Sequence, residues 1–342
     1  MANGVKVGVI GIDHGHIFGM LGNMLAAGCA CTHWWTDGEP LTAGAFREHF
    51  PTLVRVDDRR RILDDPEVAM VLISAVPADR ARLAIEAMEA GKDVMVDKPG
   101  CTTLEDLAAI EACVARTGRI WTVDFSERFE VRAVAKAEEL VAAGAIGRVR
   151  QTLGTGPHRV GGPRPEWYWR REAYGGILCD IGSHQIDQFL HFTGSTRAEV
   201  SFARVENRTR PEAPGFQDYG EMVLTGDGGN GYVRVDWFTP DALPIWGDGR
   251  LVILGEGGTI ELRKYIDIAR DEAGNQLYLA NGSTVERIDC NDVALPYFPR
   301  LVADVRDRTE TAVGQAHTFL TTRLALQAQA MAEAAGAGRG DA

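Results

Sequence analysis

Residues 68–91, VAMVLISAVPADRARLAIEAMEAG, decide the fold of this chain. The first nine residues are apolar except for Ser74, which is the pattern of a parallel strand that is covered on both faces. The apolar positions from Leu83 to Met88 then recur at helical spacing, and Gly91 is placed to end a helix. The stretch therefore predicts a strand followed by a helix, the repeating unit of an α/β domain.

More strands and helices of this kind surround the unit. Residues 5–10 (VKVGVI) and 30–35 (ACTHWW) have the composition of short strands, and residues 102–118 follow a helical pattern. Thr102 and Glu105 have the spacing of a capping box at the start of that helix. The alternation up to about residue 125 predicts a doubly wound parallel sheet, which binds ligands at the carboxyl ends of its strands.

The second half of the chain has a different pattern. Residues 231–237 (GYVRVDW) alternate between apolar and charged side chains, as in a strand with one buried face. Glycine-rich segments at 225–231 and 255–258 predict hairpin turns. We therefore expect an antiparallel sheet here, with one face solvated or packed on a partner. Residues 299–335 return to helical spacing.

Composition limits the classes of partner. The 342 residues carry a formal net charge of −12, so a nucleic acid backbone is a poor partner. No apolar run reaches the length of a membrane span, and the N-terminus lacks a signal-peptide pattern, so we expect a cytoplasmic protein without a membrane partner. The cysteines form no CxxC pair and are expected to be buried free thiols: Cys29, Cys31, Cys101, Cys113, Cys179 and Cys290.

The loop after the first strand reads GIDHGHIFG, residues 11–19. A dinucleotide fingerprint GxGxxG needs three glycines, but here only Gly11 is present, with Asp13 and His16 at the other two positions. We expect the backbone of this loop to contact a cofactor, with Asp13 turned toward the amides of the following helix. Asp37 lies 26 residues beyond Gly11, near enough to the usual spacing to bind an adenosine ribose. With Glu39 beside it and no adjacent arginine, NAD is favoured over NADP.

Two other interpretations of this loop stay open. His14 and His16 form an HxH pair of the kind that binds a divalent ion in barrel metallohydrolases. Such enzymes need further ligands on later barrel strands, and the second half of this chain is not of that type, so we expect no metal. Alternatively, the two histidines only cap and pack the first helix. A role beside the cofactor or the substrate is the interpretation that we favour.

Two longer motifs resemble one enzyme family. Residues 94–107, VMVDKPGCTTLEDL, resemble the strand, acidic-Lys-Pro turn and capped helix of the Gfo/Idh/MocA oxidoreductases. Residues 175–194, GGILCDIGSHQIDQFLHFTG, resemble the second signature of that family. The resemblance implies an N-terminal doubly wound Rossmann sheet, followed by an α+β domain with a large, open, mostly antiparallel sheet. The corresponding domains are a cofactor domain over 1–125, a substrate-binding and oligomerisation domain over 126–335, and a flexible tail over 336–342.

The resemblance also implies which residues bind the cofactor. Arg80 stands where the family often has a histidine, and it either contacts the cofactor or lies exposed. Asp97 matches the acidic residue of the family turn and is expected to bind the cofactor or hold the turn. The full expected set is Gly11, Ile12, Asp13, His14, Asp37, Ala75, Val76, Pro77, Arg80, Asp97 and Lys98.

Three residues are expected to be catalytic. Asp180 and His184 are four apart on a predicted helix, hence on one face, and an imidazole ordinarily titrates near neutral pH. In the family the matching histidine exchanges the proton of the reacting hydroxyl, and the matching aspartate orients it or binds substrate. Lys98 is expected to bind the substrate oxygen.

Specificity is expected in residues 159–176, RVGGPRPEWYWRREAYGG, because their aromatic faces can stack on a sugar ring and their arginines can bind an anion. The expected substrate-binding residues are His16, Lys98, Trp167, Arg170, Tyr174, Asp180 and His184.

The predicted function is NAD-dependent, reversible oxidation of a secondary alcohol, and the resemblance implies that this alcohol belongs to a sugar, sugar acid or cyclitol. One alternative is a glycoside-cleaving enzyme on the same fold, in which transient oxidation by bound NAD activates an elimination. Another is a non-catalytic homologue, although both Lys98 and His184 are present. The family also implies a homodimer or homotetramer that assembles through the open sheet.

Overall fold

The computed structural model describes residues 4–270 and 272–337 of the chain. They divide into two units. The first unit contains the chain up to Asp124, Pro165–Gly175 and Pro296–Phe319. The second unit contains Phe125–Arg164, Gly176–Leu295 and the chain from Leu320 onward. The predicted tail, residues 336–342, lies outside the described residues from residue 338 onward.

The first unit is built on a parallel sheet. Its elements up to residue 124 are, in chain order, β1 (Lys6–Ile12), α1 (Ile17–Ala26), β2 (Ala30–Trp35), α2 (Ala43–His49), β3 (Val54–Arg55), α3 (Arg60–Leu63), β4 (Val68–Ser74), α4 (Arg80–Glu89), β5 (Asp93–Asp97), α5 (Leu104–Thr117) and β6 (Trp121–Asp124).

The strand order in this sheet is β3-β2-β1-β4-β5-β6, and the prediction of a doubly wound Rossmann sheet is confirmed. The central strands are apolar because both of their faces are covered: β5 is fully buried and β4 is buried at all positions but one. The strand order reverses between β1 and β4. Ligands of such sheets bind at the carboxyl ends of the strands flanking this reversal, so β1, β4 and β5 position the site described below.

Helix α5 shows how locally the sequence sets an element. Thr103 is its N-cap, and the Thr103 hydroxyl accepts a hydrogen bond from the backbone N–H of Asp106. The predicted capping box at Thr102 was therefore wrong by one residue. The predicted end is confirmed, since Gly118 adopts a left-handed conformation with φ of 63°.

The remaining elements, in chain order, are α6 (Ser126–Phe129), α7 (Arg132–Ala142), β7 (Val149–Pro157), α8 (Arg171–Tyr174), α9 (Ile177–Asp180), α10 (Gly182–Thr193), β8 (Ala198–Glu206), β9 (Tyr219–Gly226), β10 (Asn230–Asp236), β11 (Arg250–Gly255), β12 (Gly258–Arg263), β13 (Gln276–Asn281), β14 (Val285–Asp289), α11 (Tyr297–Asp307) and α12 (Gln315–Ala337).

The sheet of the second unit has eight strands in the order β14-β13-β12-β11-β7-β10-β9-β8. All pairings are antiparallel except that of β7 with β10. The predicted mostly antiparallel sheet is therefore confirmed, as are the hairpins between β9 and β10 and between β11 and β12. Gly154 and Gly156 of β7 let α10 lie close, since a Cβ on Gly154 would approach Gln185 Oε1 to 2.6 Å.

Among the described residues, no helix combines the length and the apolar composition that crossing a membrane requires.

Candidate active site

The carboxylate of Asp97, the last residue of β5, lies at the centre of the site in the first unit. It is fully buried. Its Oδ2 accepts hydrogen bonds from Ser74 Oγ at 3.1 Å and Arg80 Nη2 at 2.8 Å. Its Oδ1 lies 2.8 Å from His16 Nδ1, and His14 Nδ1 lies 2.9 Å from Oδ2. Burial alone would raise the pKa of Asp97, but Arg80 and the two histidines hold it well below its ordinary value, so the carboxylate is ionised.

Arg80, at the start of α4, fixes the turn that follows Asp97. Its Nε donates to the carbonyl oxygen of Ala75 at 2.8 Å. Its Nη1 donates to the carbonyls of Asp97 at 2.8 Å, Lys98 at 2.5 Å and Pro99 at 3.0 Å. The alternative of an exposed Arg80 is wrong, because the side chain has no exposed surface. The guanidinium therefore holds the turn in position, and its predicted contact with the cofactor stays a prediction.

Lys98 follows β5 directly in this turn and is only 3% exposed. The peptide between Lys98 and Pro99 is cis. The turn therefore places a buried ammonium group at the carboxyl edge of the parallel sheet, where the sequence predicted it.

The loop after β1 is tied to the end of β4. Gly11 has a φ of 76°, and a Cβ there would lie 2.5 Å from Cβ of Ala75. The backbone N–H of His14 donates to the carbonyl of Ser74 at 3.2 Å, and the single hydroxyl hydrogen of Ser74 is shared between Asp97 Oδ2 and the carbonyl of His14, each 3.1 Å from Oγ. The required glycine at position 11 and the reversal of strand order fit a bound dinucleotide, with Gly11, Ile12 and residues 75–77 at this edge.

Asp13 does not cap α1, contrary to prediction. The helix begins at Ile17 after His16, without a side-chain capping bond. Its first amides are satisfied by backbone carbonyls, as in the bond from Ile17 N–H to His14 at 3.4 Å. Burial raises the pKa of Asp13 to about 6, against the attraction of Arg80. The residue is therefore a half-buried carboxyl with a displaced titration, a property that its sequence context did not indicate.

The imidazoles of His14 and His16 pack edge to face, with ring centroids 4.4 Å apart. Burial lowers the pKa of His14 to about 4, against the attraction of Asp97, so this ring is neutral at pH 7. Among the residues that the structure describes, His14, His16 and Asp97 are the group whose potential ligand atoms lie within 4.8 Å of one another. Arg80 already neutralises this carboxylate at 2.8 Å, so a second cation on it would meet repulsion. The absence of a metal stays a prediction.

The aromatic segment that was predicted to set specificity forms a 3₁₀ turn over Glu166–Trp169 and the short helix α8 over Arg171–Tyr174. Trp167 lies in a 3₁₀ turn with its ring 6.5 Å from that of His14, and Tyr168 stacks on Tyr174 at 6.4 Å. Trp167 and Tyr174 are buried, whereas Arg170 is exposed and lies 3.8 Å from Glu172.

Gly175 follows this segment with a φ of 90°. A Cβ on Gly175 would lie 3.0 Å from Thr102 Cγ2 and 3.5 Å from Pro99 Cγ. The segment that carries Trp167 and Tyr174 is thereby packed next to the turn that carries Lys98.

The environment of Asp37 corrects one argument about the cofactor. Asp37 is exposed, two residues beyond the end of β2. Glu39, however, pairs with both Arg47 and Arg55, and Arg55 also donates to the carbonyl of Gly38 at 2.5 Å. The premise that no arginine is adjacent was wrong, because folding brings two of them to this edge. The local charge is balanced and does not by itself reject a 2′-phosphate.

In the second unit, Asp180 and His184 lie on successive helices. Asp180 ends α9, and α10 begins at Gly182 after Ile181, so the single predicted helix is interrupted. Both side chains are buried, and the ring of His184 meets that of Phe125 edge to face at 6.4 Å. Asp180 and His184 therefore do not share the continuous helical face that was predicted for them.

A buried ion pair beside His184 was missed from the sequence. Glu127 accepts hydrogen bonds from Lys264 Nζ at 2.6 Å and Gln185 Nε2 at 2.8 Å. Burial would raise the pKa of Glu127, but Lys264 and then His184 lower it to about 2. Because Glu127 and Lys264 are 137 residues apart, no local pattern indicates this pair.

Comparisons with known proteins identify the family. Residues 5–125 match the oxidoreductase family with an NAD-binding Rossmann fold, and residues 134–261 match the Gfo/Idh/MocA C-terminal domain. A solved structure from Erwinia carotovora atroseptica, assigned only as an oxidoreductase, is 43% identical with a TM-score of 0.93, covering 96% of this chain and 98% of that one. The chain belongs to the Gfo/Idh/MocA oxidoreductases.

Two curated relatives are enzymes of named activity. The levoglucosan dehydrogenase of Pseudarthrobacter phenanthrenivorans is 33% identical over 183 residues, which cover 52% of this chain and 47% of that protein. The NAD⁺-dependent scyllo-inositol 2-dehydrogenase of Bacillus subtilis is 29% identical over 205 residues, covering 60% of this chain and 58% of that protein. The matched part of the chain thus spans about half the length of these relatives.

Proposed function

We propose that this chain is a nicotinamide-dependent dehydrogenase that reversibly oxidises a secondary alcohol of a sugar, sugar acid or cyclitol. The observation that carries the proposal is the buried Lys98 at the carboxyl edge of the parallel sheet, in a turn that Arg80 holds through three carbonyls. A cation in that place suits the binding of an alcohol or carbonyl oxygen. The family supplies the reaction class, and the two curated relatives support a polyhydroxylated ring as substrate.

The proposed roles follow the chemistry of each side chain. A nicotinamide ring, when bound, supplies the hydride acceptor, and the protein supplies alignment and a proton path. Lys98 binds the reacting oxygen, and His184 exchanges the hydroxyl proton. Asp180 orients His184 or binds a neighbouring hydroxyl. Trp167 is the proposed aromatic surface for a sugar ring, and the buried Tyr174 supports this segment by stacking on Tyr168.

NAD remains the proposed cofactor, with Asp37 as the acceptor for a ribose hydroxyl. Its exposed carboxylate just beyond β2 supports that role. The paired Arg47 and Arg55 reduce the expected preference over NADP, because both are cations near the carboxylate of Asp37 and could attract a 2′-phosphate.

A panel of sugars, sugar acids and cyclitols, assayed for reduction of NAD⁺ and NADP⁺, tests the proposal. We expect net reduced nicotinamide with at least one compound. His184→Asn should lower kcat about 10² to 10⁴-fold, the usual contribution of a general acid–base group. His191→Asn is the matched control, since His191 lies on the same helix and pairs instead with Glu138 at 3.0 Å. Bond cleavage without net reduced nicotinamide would contradict the proposal.

We further propose a homodimer or homotetramer that assembles through the open sheet of the second unit. Paired positions across its strands carry Phe202, Val223, Tyr232, Leu153 and Val252. Phe202 and Leu153 are 42% and 37% exposed, which supports a face suited to burial. Sedimentation velocity tests this: a monomer at micromolar concentration would contradict it.

Cytoplasmic location is likewise proposed, and fractionation of the source cells tests it.

A further inference from the structure

One buried carboxylate is shared by the two histidines of the first loop. Asp97 Oδ1 lies 2.8 Å from His16 Nδ1, and Oδ2 lies 2.9 Å from His14 Nδ1. An ionised carboxylate only accepts hydrogen bonds, so the Nδ1 atom of His16 must carry the proton that is shared with Oδ1. Nδ1 of His14 has no hydrogen bond of good geometry, but at 2.9 Å from Oδ2 the same negative charge favours a proton on it.

This arrangement determines which ring atom faces a ligand. When Nδ1 carries the hydrogen of a neutral imidazole, Nε2 is left as a hydrogen-bond acceptor. His14 and His16 retain side-chain exposures of 18% and 30%, whereas Asp97 has none. The two imidazoles are therefore the partly exposed members of this group, and the buried carboxylate acts only through them.

The chemistry of that edge separates two classes of ligand. Backbone amides and cations bind a pyrophosphate, whereas an imidazole nitrogen that serves as an acceptor in front of a buried carboxylate does not. A hydroxyl group donates to such an acceptor readily. The ring of Trp167 lies 6.5 Å from that of His14, and its segment packs next to the turn of Lys98. An imidazole acceptor, an aromatic face and the ammonium group of Lys98 together suit a hydroxylated ring.

We propose that His14 and His16 form a hydroxyl-binding pair that recognises the polyhydroxylated substrate, with Asp97 as the positioning residue that orients both rings. The inference rests on the proposed function, and it moves His14 and Asp97 from the expected cofactor site to the substrate side. In this proposal, the side chains that replace glycines of the GxGxxG pattern in this loop bind hydroxyl groups of the substrate.

Asparagine and glutamine variants separate recognition from mere packing. Asparagine places its amide near the position of Nδ1, so His16→Asn keeps the contact with Asp97 and loses the outer nitrogen. Glutamine reaches the position of Nε2, so His16→Gln keeps an outer polar atom and loses the inner contact. The same pair is made at His14, and His33→Asn in the same unit is the control. NADH affinity is measured by fluorescence titration, and kinetics use the most active compound of the substrate panel.

We expect each asparagine variant to raise KM for the polyol about tenfold, which corresponds to one lost hydrogen bond near the upper end of the usual range. NADH affinity should stay within about twofold, and the glutamine variants should lose less than the asparagine variants. If the asparagine variants instead weaken NADH binding tenfold with KM unchanged, the pair belongs to the cofactor and the inference is wrong. If glutamine is the more damaging change, the histidines only pack against Asp97.

Nitrogen-15 NMR of the histidine rings provides a readout without substrate. We expect the Nδ1–H tautomer at both positions, and its loss in Asp97→Asn. An Nε2–H tautomer in the parent protein would overturn the inference. Failure of the parent protein to bind either NADH or NADPH would instead reject the proposed function, so the two failures are distinguishable.

Discussion

Replacement of Arg80 by methionine should destabilise the first unit severely. The guanidinium is fully buried and is 2.8 Å from the Asp97 carboxylate, which is buried as well. Removing one partner of a buried ion pair strands the other charge, at a cost of about 3–5 kcal/mol. The carbonyl oxygens of Ala75, Lys98 and Pro99 also lose a donor, and each buried unsatisfied group adds about 1–3 kcal/mol before relaxation.

These losses are large against the whole stability of a domain, about 5–15 kcal/mol. Arg82→Met is the matched control, since Arg82 lies on the same helix with its side chain 61% exposed and pairs with Asp79 at 3.2 Å. An exposed i, i+3 pair contributes about 0.2–0.5 kcal/mol. The free energies of unfolding of the two variants, measured by urea unfolding followed by circular dichroism, should therefore differ by at least about 3 kcal/mol.

The pH dependence of the free energy of unfolding shows whether the unpaired charge is the carboxylate of Asp97. In the parent protein the pKa of Asp97 is depressed, so its stabilising effect is present above its ordinary pKa and is lost as pH falls through the folded-state pKa. Without Arg80, burial raises the pKa of Asp97, so Arg80→Met should recover toward the parent protein as pH is lowered. Adding Asp97→Asn should recover part of the loss at neutral pH. If Arg80→Met and Arg82→Met cost the same, the assigned role of Arg80 is wrong.

Three further predictions concern the loop and the cofactor edge. The pKa of Asp13 is raised to about 6, so its ionisation opposes folding above that pH. Asp13→Asn should therefore raise the free energy of unfolding by about 1–2 kcal/mol above pH 6 and leave it unchanged below the ordinary pKa. Equal urea midpoints of the variant and the parent protein at high pH would contradict this. Gly11→Ala should unfold at markedly lower temperature, because its φ is 76° and the new Cβ would meet Ala75 at 2.5 Å; an unchanged melting temperature would show that the turn can relax. Glu39→Gln should remove the negative charge that neutralises Arg47 and Arg55, and should raise the affinity for NADPH relative to NADH about tenfold. Fluorescence titration measures both affinities, and an unchanged ratio would place the ribose elsewhere.

The fold was accessible from sequence because its signals are local. The apolar run of β4 and the glycine that ends α5 each occupy a few consecutive residues, and the structure has both where the pattern indicates them. The start of α5 was misplaced by one residue because Thr102 and Thr103 are both competent caps, and only the backbone geometry decides between them.

The site was only partly accessible, because its energetics depend on contacts between distant residues. The sequence indicated Lys98 and Asp97 through one motif, but not that Arg80 would be buried against them from a separate helix. Glu127 and Lys264 meet across 137 residues, beyond any periodic pattern. Asp13 was assigned to a cap on local propensity, whereas backbone carbonyls satisfy that helix start and leave its carboxyl half-buried.

The central claim, that Lys98 binds the reacting oxygen of a nicotinamide-dependent dehydrogenase, is tested most directly by comparing two lysine variants. Lys98→Met removes the buried ammonium group at the carboxyl end of β5. Lys92→Met is the control, because Lys92 is also buried but lies just before the amino end of the same strand, where its Nζ donates to the carbonyl of Asp65 at 2.6 Å. With the most active compound of the polyol panel, formation of reduced nicotinamide should fall at least about 10²-fold in Lys98→Met, the scale of a group that contacts the reacting oxygen. The folded fraction of Lys92→Met should turn over at the parent rate. Equal turnover by folded Lys98→Met and the parent protein would contradict the claim.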